Sequence, residues 1–241
     1  MSVFEVVRRL PEISRVREIS QAIAMLDAIL SPAWSSRYFS FDTAWGPGEA
    51  MASMRNGSGD EYSIVFSAAG ACARGFDHES PMSPYRMQPC TAWSGLLNTV
   101  PAAVRSVVEE PAFSDENGTL LATVVFWRET SDPAWLCGDV VLPASSVDPD
   151  GADELFQVLA DGRPEAYQEF AQDYYEVDVD LRPVRHAYAL RPLTRSVVAA
   201  LNPDLDLGVL EPDRKQIGYP APAEDQLPGR PRRSAWGWPL L

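Results

Sequence analysis

The chain has 241 residues, a formal net charge of −14 and a hydrophobic content of 46%. That supplies enough apolar material for a real core, while the charge argues against nucleic acid and anionic membranes, both of which need basic surface. Three cysteines, Cys72, Cys90 and Cys137, form no C-x-x-C pair, which argues against a zinc site and a disulfide scaffold.

Met1 to Leu10 carries Glu5, Arg8 and Arg9 where a secretory signal needs an uninterrupted apolar stretch. No run approaches the length of a membrane span. A soluble, cytoplasmic protein is expected. From Glu12 to Leu30 the residues Ile13, Val16, Ile19, Ile23, Leu26 and Leu30 recur every three or four positions, which predicts an amphipathic helix packed on a sheet.

The strands follow. Arg37 to Asp42 alternates, with Phe39 and Phe41 on one side and Tyr38, Ser40 and Asp42 on the other, before Gly46-Pro47-Gly48 reverses the chain. Glu49–Arg55 and Glu61–Ser67 flank the turn Asn56-Gly57-Ser58-Gly59-Asp60, whose residues tolerate positive φ. Tyr62, Ile64 and Phe66 share a face, Ala69-Gly70 turns again, and Cys72–Phe76 (with Arg74 inside it) makes a fourth strand. Period-two patterning with loops this short predicts an antiparallel meander.

The meander ends in Asp77-His78-Glu79-Ser80. A histidine flanked by carboxylates has its charged form favoured and can serve as a base or a ligand. The plainer reading has Asp77 and Glu79 bracing the loop through backbone N–H groups, with His78 as one polar partner. Asn56, Gly57, Asp60, Glu61 and Tyr62 on one side and Arg74, Asp77, His78 and Glu79 on the other make up the motif-bearing part of the chain. The stretches Ala52–Tyr62 and Gly75–Tyr85, with later landmarks at Tyr174-Tyr175-Glu176, Leu193-Thr194 and Leu201-Asn202-Pro203, resemble a family of uncharacterised bacterial proteins. The resemblance implies a cytoplasmic immunity protein guarding against a toxin, and it carries over no catalytic residue.

Residues 81–100 read as irregular, Pro101–Glu110 as a short helix and Phe113–Gly118 as a loop. Thr119–Trp127, rich in β-branched and aromatic residues, suits a strand buried on both faces. After Thr130–Pro133 turns, Trp135–Leu142 is expected to return beside it as a long hairpin, for a sheet of about six strands.

Between Asp132 and Asp180 stand thirteen acidic residues against Arg163 as the one base. Ala152–Leu159 and Glu165–Tyr175 predict two short helices with Leu155, Phe156, Leu159, Tyr167, Phe170 and Tyr174 turned inward. Asp148, Asp150, Asp153, Glu154, Asp161, Glu165, Glu169, Asp173 and Glu176 are the candidate face for a basic protein partner, such as a toxin nuclease domain. The alternative is a solvated surface that keeps the protein soluble. The run Asp148 to Glu154 lacks the spacing and closing glutamate of a calcium loop, and no metal or cofactor is expected.

Asp180–Leu190 fits a helical face through Leu181, Val184 and Tyr188, with His186 as a packed polar residue. Thr194 caps a helix that runs to Leu201 and stops at Asn202-Pro203. Composition then shifts to prolines, Arg230, Arg232, Arg233, Trp236 and Trp238. An α+β domain over residues 1–210 is expected, with 211–241 as an extension docked on it.

No G-x-S-x-G, H-E-x-x-H, Walker or dinucleotide motif occurs, and the glycine-rich turn at 56–60 lacks the lysine and helix start of a phosphate loop. A non-enzymatic binding protein is therefore the first expectation. The second is a small hydrolase or metal-dependent enzyme that uses Asp77, His78 and Glu79 with Asp60 and Glu61. A scaffold that assembles through its tryptophan-bearing tail is the third.

Overall fold

The computed structural model describes residues 1–144 and 147–221. An antiparallel sheet runs in chain order through β1 (Phe39–Gly46), β2 (Glu49–Arg55), β3 (Glu61–Phe66), β4 (Gly70–Phe76), β5 (Val124–Glu129) and β6 (Leu136–Cys137). Each of the first three connections is a tight reversal, and Gly48, Gly57, Gly59 and Gly70 hold positive φ in them. Glycine takes those angles without the steric cost a Cβ would bring.

The helices cover one face. They are α1 (Val3–Arg9), α2 (Ile13–Leu30), α4 (Ala152–Asp161), α5 (Pro164–Tyr175), α6 (Leu181–Tyr188), α7 (Arg195–Leu201) and α8 (Glu211–Ile217); the short α3 (Arg105–Val108) lies on the other side. Period two decides which strand residues meet the main layer: Phe39, Phe41, Tyr62, Ile64, Phe66, Ala71, Ala73, Val124 and Phe126 point into the core beneath α2 and α4. Their neighbours Val65, Cys72, Val125 and Trp127 enter a second core with Met82, Leu96, Val100, Val107 and Phe113. The segment 81–123, of which 81–100 reads as irregular, is thus the cover of the sheet's back face. An antiparallel sheet needs no such cover; here it buries β3, β4 and most of β5 on both sides.

Three points differ from the sequence expectations, and a fourth segment is placed directly. The first helix, α1, is absent from the sequence reading, although Glu5 closes back on the Ser2 amide (2.9 Å) in capping fashion. Seven residues are too few for periodicity to stand out. The strand expected over 119–127 begins only at Val124, because Leu121 turns back to bond the Phe113 carbonyl (2.9 Å). The long return over 135–142 pairs only at Leu136–Cys137. Directly after it, the Gly95 carbonyl approaches so closely that a Cβ on Gly138 would lie 2.1 Å away, so a crossing chain takes the place of a longer strand. Last, residues 211–221 belong to the domain: α8 packs on β1 and α2, with Ile217 and Tyr219 buried and Arg37 bound to Asp213 (2.6 Å). The basic and tryptophan-bearing part of the expected extension, with its docking, lies outside the described residues.

Asp180 and Thr194 both cap, accepting from the amides of Arg182 and Val197, and the His186 ring bonds the Pro192 carbonyl (2.9 Å). No described helix is long and apolar enough to cross a membrane.

Candidate functional site

The register of β3 against β4 pairs Glu61 with Phe76, so the β2–β3 turn and the loop after β4 emerge side by side. Within the turn, Asn56 Oδ1 accepts from the amides of Ser58 (2.8 Å) and Asp60 (3.1 Å), while its amide donates to Asp60 Oδ2 (2.6 Å). The other Asp60 oxygen accepts from the His78 amide (2.9 Å) and ring Nδ1 (2.7 Å). The orienting carboxylate for His78 is therefore Asp60, brought across the hairpin, and not a sequence neighbour.

Asp77 spends one oxygen on the amides of Glu79 (2.8 Å) and Ser80 (3.0 Å), in the bracing role. Glu79 is exposed, 3.9 Å from His78 Nε2. The Ser80 hydroxyl is buried and donates to the Pro149 carbonyl (2.7 Å). Glu61 and Arg74 form an ion pair, with Arg74 buried, bonded to the Leu121 carbonyl (3.0 Å) and over the Phe113 ring (4.7 Å). Tyr62 is buried and stacks on Phe156 (4.9 Å). Arg74 and Tyr62 are buried and closed to substrate, while Glu61 is only half-buried at the start of β3.

The hydrogen bond to Asp60 raises the His78 imidazole above its ordinary value, with Asp60, Glu79 and Asp77 charges adding to it. Burial opposes ionisation of Asp60, but the bonds from His78 and Asn56 outweigh it and hold that carboxyl low. Ligand atoms of Asp60, Asp77 and His78 lie within 4.8 Å of one another, so these are the residues that could hold a divalent cation. Asp60 already accepts from protein donors on both oxygens, so a cation would compete with those bonds.

The acidic residues divide. Asp150 is fully buried and accepts from the amides of Val3 (2.9 Å) and Ala152 (3.2 Å), so it is corrected from a partner contact to an anchor for α1. Asp148 accepts from the amides of Asp153 and Glu154 at the start of α4, where negative charge meets the helix dipole. Asp153 binds the Met1 amino group (2.9 Å), Asp161 binds Arg163 (2.8 Å) and Glu165 binds Arg185 (2.6 Å). Glu154, Glu169, Asp173 and Glu176 remain exposed, and among the described residues none has a cationic partner.

Between the β2–β3 turn and the α4–α5 pair opens a cleft of about 340 Å³, lined by Tyr38, Asn56, Ser58, Glu154, Phe170, Asp173 and Tyr174 among others. Tyr38 meets Phe170 (4.6 Å) and the edge of Tyr174 (4.7 Å), and Tyr174 stacks on Phe170 (5.4 Å, 18°). Tyr174, read as inward from its spacing, is 42% exposed. The cleft wall is pinned from behind by Asp27, which the sequence reading passed over as one polar residue in an apolar stripe. Asp27 accepts from the amides of Tyr38 (3.0 Å) and Phe39 (2.7 Å) and from the hydroxyls of Tyr167 (2.6 Å) and Tyr175 (2.9 Å). Its position among Ile23, Leu26 and Leu30 was the available signal, since a buried carboxylate demands such donors.

Comparison with protein-family models, with curated proteins and with solved structures finds no match to this chain.

Proposed function

We propose that the protein is a non-enzymatic binding protein, a bacterial immunity protein whose acidic end receives a basic toxin domain in the cytoplasm. One observation carries the reading: around the α4–α5 cleft stand carboxylates that have no cationic partner among the described residues, beside exposed aromatic surface. Unneutralised charge of one sign speeds encounter with a partner of the other sign and selects against acidic ones. The immunity role itself rests on the likeness of the 52–62 and 75–85 motifs to the bacterial family.

The test is a calorimetric titration of the protein against the product of the neighbouring gene, at low and at high salt. Binding that weakens as salt rises supports the reading, since exposed charges more than about 8–10 Å apart are largely screened near physiological ionic strength. No heat at either salt rejects it. The Asp60–His78 pair, whose Nε2 lies 3.9 Å from Glu79, would then be the place to look for a hydrolase or metal-dependent activity.

A further inference from the structure

We propose that the cleft between the β2–β3 turn and the α4–α5 pair is a receptor for the guanidinium group of an arginine on a basic protein partner. The proposal rests on the binding reading above and narrows it to one place and one chemical group.

The lining is selective for a cation with a flat face. Glu154 stands on α4 and Asp173 on α5, and among the described residues no lining side chain is basic. Desolvation raises the Glu154 carboxyl above its ordinary value, and Asp60, Asp77, Asp148 and Glu79 push it the same way. An incoming positive charge offsets the repulsion from all four carboxylates at once. The aromatic wall is braced, because Phe170 stacks under Tyr174 and Asp27 holds the backbone at Tyr38 and the hydroxyl of Tyr175. A braced ring that is half exposed is the surface on which a cation docks with least ordering cost.

Arginine suits this better than lysine. Its guanidinium is planar, weakly hydrated, able to stack on tyrosine and able to engage a carboxylate through two N–H groups. A cleft of about 340 Å³ sits at the small end of ligand sites, which run from about 300 to 1,000 Å³. That is room for a side chain and not for a folded element. Glu169 and Glu176 continue the negative surface along α5 outside the cleft, and only a partner larger than a free small cation would use them.

The test is an amide-shift titration of the full chain with an acetyl-Gly-Arg-Gly amide peptide and its lysine counterpart. Expected are shifts confined to residues near 38, 56–58, 154–158 and 170–174, with the lysine peptide weaker. Tyr174→Ala should weaken arginine binding roughly 2–5-fold, the equivalent of an exposed cation–π contact. The pair Glu154→Gln and Asp173→Asn, both on exposed side chains, should weaken it about tenfold or more.

Shifts elsewhere, equal binding of the two peptides, or indifference to these variants would overturn the proposal. So would movement of the same amides on substituting Arg230, Arg232 and Arg233 by alanine without peptide, since the occupant would then be the chain's own. A partner titration that stays salt-sensitive and is unmoved by Tyr174→Ala would remove the cleft while leaving the binding reading standing.

Discussion

Asp27 shows how one buried carboxylate couples packing to pH. Desolvation drives its carboxyl up to about 6 from the ordinary 3.8, against the opposing pull of Phe39, Tyr167, Tyr175 and Tyr38. Between those two values the folded state holds the proton and the unfolded state has lost it, so this group makes stability fall as pH rises from about 4 to about 6. Asp150, also pushed to about 6 by burial, acts in the same direction. Asp27→Asn keeps the shape but presents an amide N–H₂ to donors that need an acceptor. It should cost about 1–3 kcal/mol, with the gap widest near pH 4.5 and narrowing towards pH 7. Urea unfolding of both proteins across that range reads the difference; a gap that does not change with pH would contradict the role given to Asp27.

At the scale of elements, the start of α4 depends on a contact that no local rule contains. Gly151, its N-cap, sits at φ +76, and a Cβ there would lie 2.4 Å from Asp77 Cβ. The loop carrying His78 and the helix carrying Glu154 are thereby pressed together, backbone against side chain. Gly151→Ala should cost about 1–2 kcal/mol from the left-handed backbone alone, and above about 2 in total once Asp77 has to move. Thermal unfolding measures this, and a loss under 1 kcal/mol would mean that the loop gives way freely. A glycine before Ala-Asp-Glu reads from sequence as a helix start; that Asp77 forbids any other residue there does not.

For the whole molecule, the decisive feature is a sheet shared by two cores. Phe126 and Trp127 are adjacent in β5, both buried, and they enter opposite cores. Truncating either to alanine should cost about 3–5 kcal/mol, and both variants should still unfold in one transition, because the strands belong to both layers. Should Trp127→Ala melt in two steps, the 81–123 cover would be a separate unit and the shared-sheet account would fail. The same architecture lets a segment with so few regular elements between residues 81 and 123 still seat Met82, Leu96, Val100, Val107 and Phe113 in a core.

What the amino-acid sequence determined by itself was the strongly patterned, short-range part of the fold. Alternation in Phe39–Phe41 and Tyr62–Phe66, positive-φ residues at 56–60 and the apolar stripe of Ile13 to Leu30 each act within a few positions, and the meander and its main helix follow from them. The caps at Asp180 and Thr194 are legible for the same reason. Tertiary structure alone decided which charges are free. Asp150 and Glu154 look alike in the chain, yet one is sealed under α1 and the other faces the cleft. It also decided that Asp60, and not Asp77 or Glu79, orients His78, since only strand register brings a residue eighteen positions away within 2.7 Å. Such choices depend on where desolvation falls and which donors arrive from distant segments, and those quantities do not exist until the sheet and its two covers have closed.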